Sequence, residues 1–219
     1  MWSKTQRRTG ILAIATMLLF AIPGCKKEET APAPAKDPLT SSKYYSFKDD
    51  MRQLWSDHMQ WTYSTVDAYY HDQNGLQAQL DRLLQNQKDI GDAIRPYYGD
   101  AAGDTLSALL TTHIQQAVPV LESAKNNDQP ALDKALADWK ANAKDIAHFL
   151  NSANPENWPL ATMEHAMEHH IDQTTTYAVD LLKGDYTNAV KHYGEAYDHM
   201  FGTADLLAKG IALQFPDKF

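Results

Sequence analysis

The stretch from Met51 to Thr65, MRQLWSDHMQWTYST, decides the fold class. Met51, Leu54, Trp55, His58, Trp61, Thr62 and Thr65 fall three and four residues apart, the spacing that places side chains on one face of an α-helix. Ser42 is placed to cap the start of this helix, and Asn74-Gly75 lies beyond its end, so the spacing predicts a helix over about 43–71. No run of alternating β-branched residues occurs anywhere in the chain, so the predicted class is all-α.

The same period recurs along the chain. A shorter helical stretch over 76–98 reads as broken near Asn86 and ended by Pro96 and Gly99, a bridge across the bundle. A helix over about 100–126 carries Leu106, Leu109, Leu110, His113, Ala117 and Val120 on one face, with Pro119 predicting a kink one turn after His113. The stretch 130–151 buries Leu132, Leu136, Trp139, Ile146 and Phe149, with Asn142 on the same stripe. After Asn154-Pro155, a helix over about 158–183 turns Met163, Met167, His170, Thr174, Tyr177 and Leu181 inward and is closed by Gly184. Asp185 caps a last helix to about 214, with Ala189, Tyr193, Ala196, His199, Met200, Thr203 and Leu206 facing in. Short connections make neighbours antiparallel, and the expected architecture is an up-and-down four- or five-helix bundle with a short bridging helix.

The first 24 residues have the pattern of an export signal: Lys4, Arg7 and Arg8, then an apolar run over 10–22, then Ile22-Pro23-Gly24-Cys25. Ile-Pro-Gly-Cys resembles a lipobox, which predicts cleavage before Cys25 and acylation of its thiol, with membrane attachment through that N-terminal lipid. Residues 25–42 then form a Lys-, Glu-, Ala- and Pro-rich tether, and 43–219 form the bundle domain. The expected location is the cell envelope, periplasmic or at the surface.

Cys25 is the only cysteine, so a lipidated chain keeps no thiol for a disulfide, a thiolate metal site or a nucleophile. Loss of the signal, with three basic and no acidic residues, takes the formal charge from −8 to −11. That charge, without a basic patch, excludes nucleic acid as a partner. The sequence names no protein partner and is compatible with a homodimer.

His58, His113, His170 and His199 each lie on the apolar stripe of a separate helix, close to its midpoint. Midpoints of an up-and-down bundle share a layer, so four imidazoles are expected in one buried plane. Buried neutral imidazoles compete for few partners, and a transition-metal cation or another small ligand bound by the layer would take their lone pairs, which predicts a binding or sensing lipoprotein. Imidazole without thiolate suits zinc, copper or nickel, and Met59, Met163, Met167 and Met200 nearby lean slightly toward copper. Thr62, Asn142, Thr174 and Thr203 are candidates to hold the rings, with Trp55, Trp61 and Asp205 beside them. The competing reading is a non-catalytic structural or interaction lipoprotein, in which threonine hydroxyls pair with the rings in a metal-free polar core.

Neither Glu164, Glu168 nor Glu195 has a histidine three residues later, which disfavours ferritin-like di-iron chemistry. Haem through two of the histidines stays open, without a Cys-x-x-Cys-His attachment motif. No phosphate loop, nucleophile elbow or His-Glu-x-x-His motif occurs, so catalysis is the weakest reading. The run MEHAMEHH adds His165 and His169 one turn apart, a pair able to chelate a surface metal but reading first as a solvated face.

Trp55-x-x-His58-x-x-Trp61-Thr62, Tyr98-Gly99-Asp100 followed by Leu109-Leu110-Thr111-Thr112-His113, and His170-x-x-x-Thr174 resemble an uncharacterised family of small bacterial all-helical proteins, over about residues 50–216. The resemblance singles out Trp55, His58, Trp61, Thr62, His113 and His170, then His199 and Asp205. Tyr63 stands where that family commonly has an arginine. Some of its members carry the labels acetylglutamate kinase or glycosyltransferase. Those activities need an α/β phosphate-binding framework, which this sequence does not encode.

Overall fold

The structure, a computed structural model, describes residues 37–219. The expected signal peptide, Cys25 and most of the expected tether lie outside the described residues.

Six long helices follow one another: α1 (Ser42–His71), α2 (Gln73–Tyr98), α3 (Asp100–Asn126), α4 (Gln129–Ala153), α5 (Leu160–Leu182) and α6 (Tyr186–Gln214). Single 3-10 turns at Pro38–Thr40 and Pro216–Lys218 flank them, and the described residues contain no strand. Asp72, Asp128 and Asp185 cap α2, α4 and α6, each carboxylate accepting from a backbone N–H two or three residues on. Ser41, rather than Ser42, caps α1 through Tyr44 N–H. Gly99 (φ 84°), Asn127 (φ 55°) and Gly184 (φ 70°) supply the left-handed residues that reverse the chain in one to three positions.

Connections this short make successive helices antiparallel neighbours, and α6 packs back on α1 to close a ring. α5 also touches α1 and α3 across the ring. It is the innermost helix, and its inward residues Met163, Ile171, Tyr177 and Leu181 are at most 1% exposed.

The bundle therefore holds six full-length helices, and α2 is a member rather than a short bridge. It runs unbroken through Asn86 and past Pro96. Asn86 donates its amide to the Leu54 carbonyl of α1 at 2.9 Å, and Gln87 beside it is fully buried. α2 approaches α3 closely because Gly91 faces Gly103: a Cβ on Gly91 would stand 2.0 Å from Ser107 Oγ and 2.6 Å from the Gly103 carbonyl. α3 likewise continues through Pro119 as one helix.

Candidate functional site

α1, α3 and α5 are the odd members of the up-and-down ring and run in the same direction. Each presents one histidine to the interior. His58, His113 and His170 are each 2% exposed, with ring centroids 5.6 Å apart for His58 and His170 and 5.8 Å for His113 and His170. The expected plane of four is thus a row of three, with His170 in the middle.

His199 is elsewhere. Its ring is half-buried at the seam of α5 and α6, where Nε2 donates to the Ala166 carbonyl at 2.9 Å. The cause is angular: α6 turns Ala196, Met200 and Thr203 inward, which leaves His199 at the edge of that face. Thr203 accordingly bonds the His199 carbonyl at 3.0 Å. Asp205 holds Arg52 in a two-pronged pair, 2.6 and 2.7 Å, on the outer seam of α1 and α6. Trp61 lies outside the cavity with the Arg82 guanidinium 5.8 Å from its ring centre. Thr62 lines the cavity but donates its hydroxyl to the His58 carbonyl, 2.7 Å away. Trp55 packs against the His58 ring at 5.6 Å.

Asn142 and Thr174 do take part. Asn142 Nδ2 donates to the Leu109 carbonyl at 3.2 Å, which fixes the amide and turns Oδ1 toward His113 Nδ1, 2.9 Å away. His113 therefore carries its proton on Nδ1 and offers the Nε2 lone pair inward, where no partner meets it. Gln87 acts on His58 in the opposite sense: its Nε2, which also donates to the Leu83 carbonyl at 2.8 Å, donates to His58 Nδ1 at 3.3 Å, so His58 carries its proton on Nε2. His170 Nδ1 and the hydroxyls of Thr65, Tyr70, Thr174 and Thr175 are buried without partners.

Burial keeps all three rings neutral. Desolvation, then the neighbouring His113, lowers the His58 pKa to about 3 against the opposing Gln87 contact. Desolvation lowers His113 to about 4, against the opposing Asn142 bond. His170, between the other two, is held well below its usual value by desolvation and by both neighbours.

These rings wall one end of an internal cavity of about 70 Å³. Its lining extends along α1 from His58 to Tyr70, along α3 from His113 to Ala124 and along α5 from His170 to Val179. At 1.5 Å per residue that is roughly 14–18 Å of helix. Beyond the histidines the walls are largely aliphatic, with Leu80, Leu83, Ile114, Val120, Leu121 and Val179 among them. Val118, 39% exposed, brings one side of the cavity close to solvent.

As the side chains stand, no three His, Cys, Asp or Glu groups among the described residues are placed to hold one metal ion. Gln87, Trp139, Thr65, Tyr70 and Thr175 belong to the site; the sequence pattern marks Thr65 and Trp139 only as inward-facing and does not mark the other three. Gln87 sits four residues after Leu83 and Trp139 three before Asn142, so only helical phase from α2 and α4 could have placed them. Comparison with protein-family models, with curated proteins and with solved structures found no match.

Proposed function

We propose that the bundle is a non-catalytic binding domain whose cavity holds a small, elongated, mostly apolar molecule by a polar end set against His58, His113 and His170. The observation that carries this reading is the pair of ring nitrogens without partners, His113 Nε2 and His170 Nδ1, at one end of an aliphatic cavity. An unmet buried polar atom costs about 1–3 kcal/mol, and a bound hydroxyl or un-ionised acid group would meet both. The neutral rings select against a charged end, because nothing in the wall would compensate it. With the expected lipid on Cys25, the domain would work tethered to the envelope as a carrier or sensor.

The test is native mass spectrometry and thermal melting of untagged protein with a series of medium-chain alcohols. Saturable one-to-one binding that quenches or shifts Trp139 emission, and is lost in His113→Phe with the fold retained, supports the proposal. Melting and emission that no alcohol in the series changes would overturn it.

A second reading, a zinc or copper ion on the same three imidazoles, is favoured by one contact. A histidine that binds metal through one nitrogen usually donates its other N–H to a fixed oxygen, as His113 does to Asn142 Oδ1. It requires the rings to turn toward a common point. Stoichiometric metal in protein purified without an affinity tag, lost in His170→Phe, would decide for it.

A further inference from the structure

A second histidine group lies outside the cavity. His165 and His169 stand one turn apart on α5, both exposed, with ring planes 5° apart and centroids at 6.0 Å. α6 adds His199, whose ring meets His169 edge to face at 4.8 Å. The Nε2 of His199 is committed to the Ala166 carbonyl, so Nδ1 is left with the lone pair. A backbone carbonyl fixing the far nitrogen is the support that metal-bound histidines use.

We propose that His165, His169 and His199 form a binding site for a late divalent transition cation such as Zn²⁺, which ties α5 to α6 from outside. Two histidines at i and i+4 on a helix face can share one ion, and a third from the next helix gives three nitrogen ligands, with water completing a tetrahedral shell. As they stand, the rings stack and cross rather than aim at one point. The rings of His165 and His169 face solvent, so rotation about their side-chain bonds brings them round without disturbing the core. His199 is already held in the tautomer that the site needs. This site shares no side chain with the cavity lining.

The experiment is calorimetric titration of Zn²⁺ into the untagged domain at neutral pH, beside thermal melts with and without the ion. Wild-type protein should bind one ion at this seam, and at a hundredfold excess over Kd its melting temperature should rise by roughly 5–10 °C. His165→Ala/His169→Ala changes only exposed side chains, so the fold is kept, and it should weaken binding at least tenfold and abolish the rise. His199→Gln should weaken binding too, separating a three-ligand site from the simple α5 pair. His170→Phe, which disables the cavity, should leave this binding unchanged. Unaltered affinity in the double variant, unaltered affinity in His199→Gln, or no saturable uptake by the wild type would each overturn the proposal.

Discussion

Lowering the pH from 7 to 5 should destabilise the domain by several kcal/mol through three residues. In the unfolded chain His58, His113 and His170 take up protons near the ordinary value of 6.5, whereas in the fold His58 and His113 do so near 3 and 4 and His170 also far below 6.5. Between those limits the unfolded state binds more protons than the folded one, so stability falls as the pH falls. It is fully present above 6.5, declines from there, and stops declining only near the folded values. From pH 7 to 5 each ring loses roughly 2 kcal/mol by this linkage, and three lose about 5–6 if they act independently. A domain of ordinary stability holds about 5–15 kcal/mol in all, so partial unfolding near pH 5 is expected. The assay is urea unfolding followed by tryptophan emission at half-unit intervals and constant ionic strength. His170→Gln supplies the control and should reduce the number of protons taken up on unfolding near pH 5.5 by about one. A change below about 1 kcal/mol over this range, or the same proton uptake in the variant, would refute the burial of neutral imidazoles on which the site depends.

Other substitutions separate packing from function. Gly91→Ala puts a methyl group against Ser107 and the Gly103 carbonyl and should cost about 1–3 kcal/mol, read as a lower urea midpoint with an unchanged slope. Asn142→Leu leaves His113 Nδ1–H without an acceptor. It should cost about 1–3 kcal/mol and weaken whatever binds the cavity roughly 10–100-fold if that is a metal, as calorimetry would show. Arg52→Ala breaks the pair with Asp205 at the α1–α6 seam, where both partners are about a third exposed. It should cost no more than about 1 kcal/mol and leave cavity binding unchanged, since Asp205 lies outside the cavity.

Helix positions among the described residues were legible because apolar spacing, the Asp185 cap and the reversing glycines Gly99 and Gly184 agree; the α1 cap lies one residue earlier than expected, and the role of α2 was misread. Asn86 and Gln87 interrupt its apolar stripe and look like a break, yet both point inward, Asn86 to the Leu54 carbonyl and Gln87 to His58. A one-dimensional pattern scores a buried polar residue as an exposed one unless its partner is known, and these partners lie on another helix. The same limit explains His199. Midpoint counting gives the height of a residue along the bundle but not its rotation about the helix. At 100° per residue, one position separates the core residue Met200 from His199 at the seam.

Buried polar atoms without partners are not confined to the cavity, since Trp55 Nε1 and Tyr177 OH are also unmet. The group formed by His113, His170, Thr65, Thr174 and Tyr70 differs because its members come from three parallel helices and line one cavity. Packing alone would be served better by leucine or valine at any of these positions, because an apolar replacement removes both the desolvation cost and the void. Elsewhere in the bundle this chain packs tightly: Met59, Ala147, Ala189 and Ala204 are 0% exposed. Local conflict with good packing, shared by neighbouring side chains around one cavity, is the mark of a site kept for what it holds. Because neither side chain has a hydrogen-bond partner to strand, His170→Leu with Thr174→Val should raise the melting temperature. The same pair should abolish cavity binding, and a variant more stable than wild type that still bound its ligand would separate the polar wall from the function assigned to it.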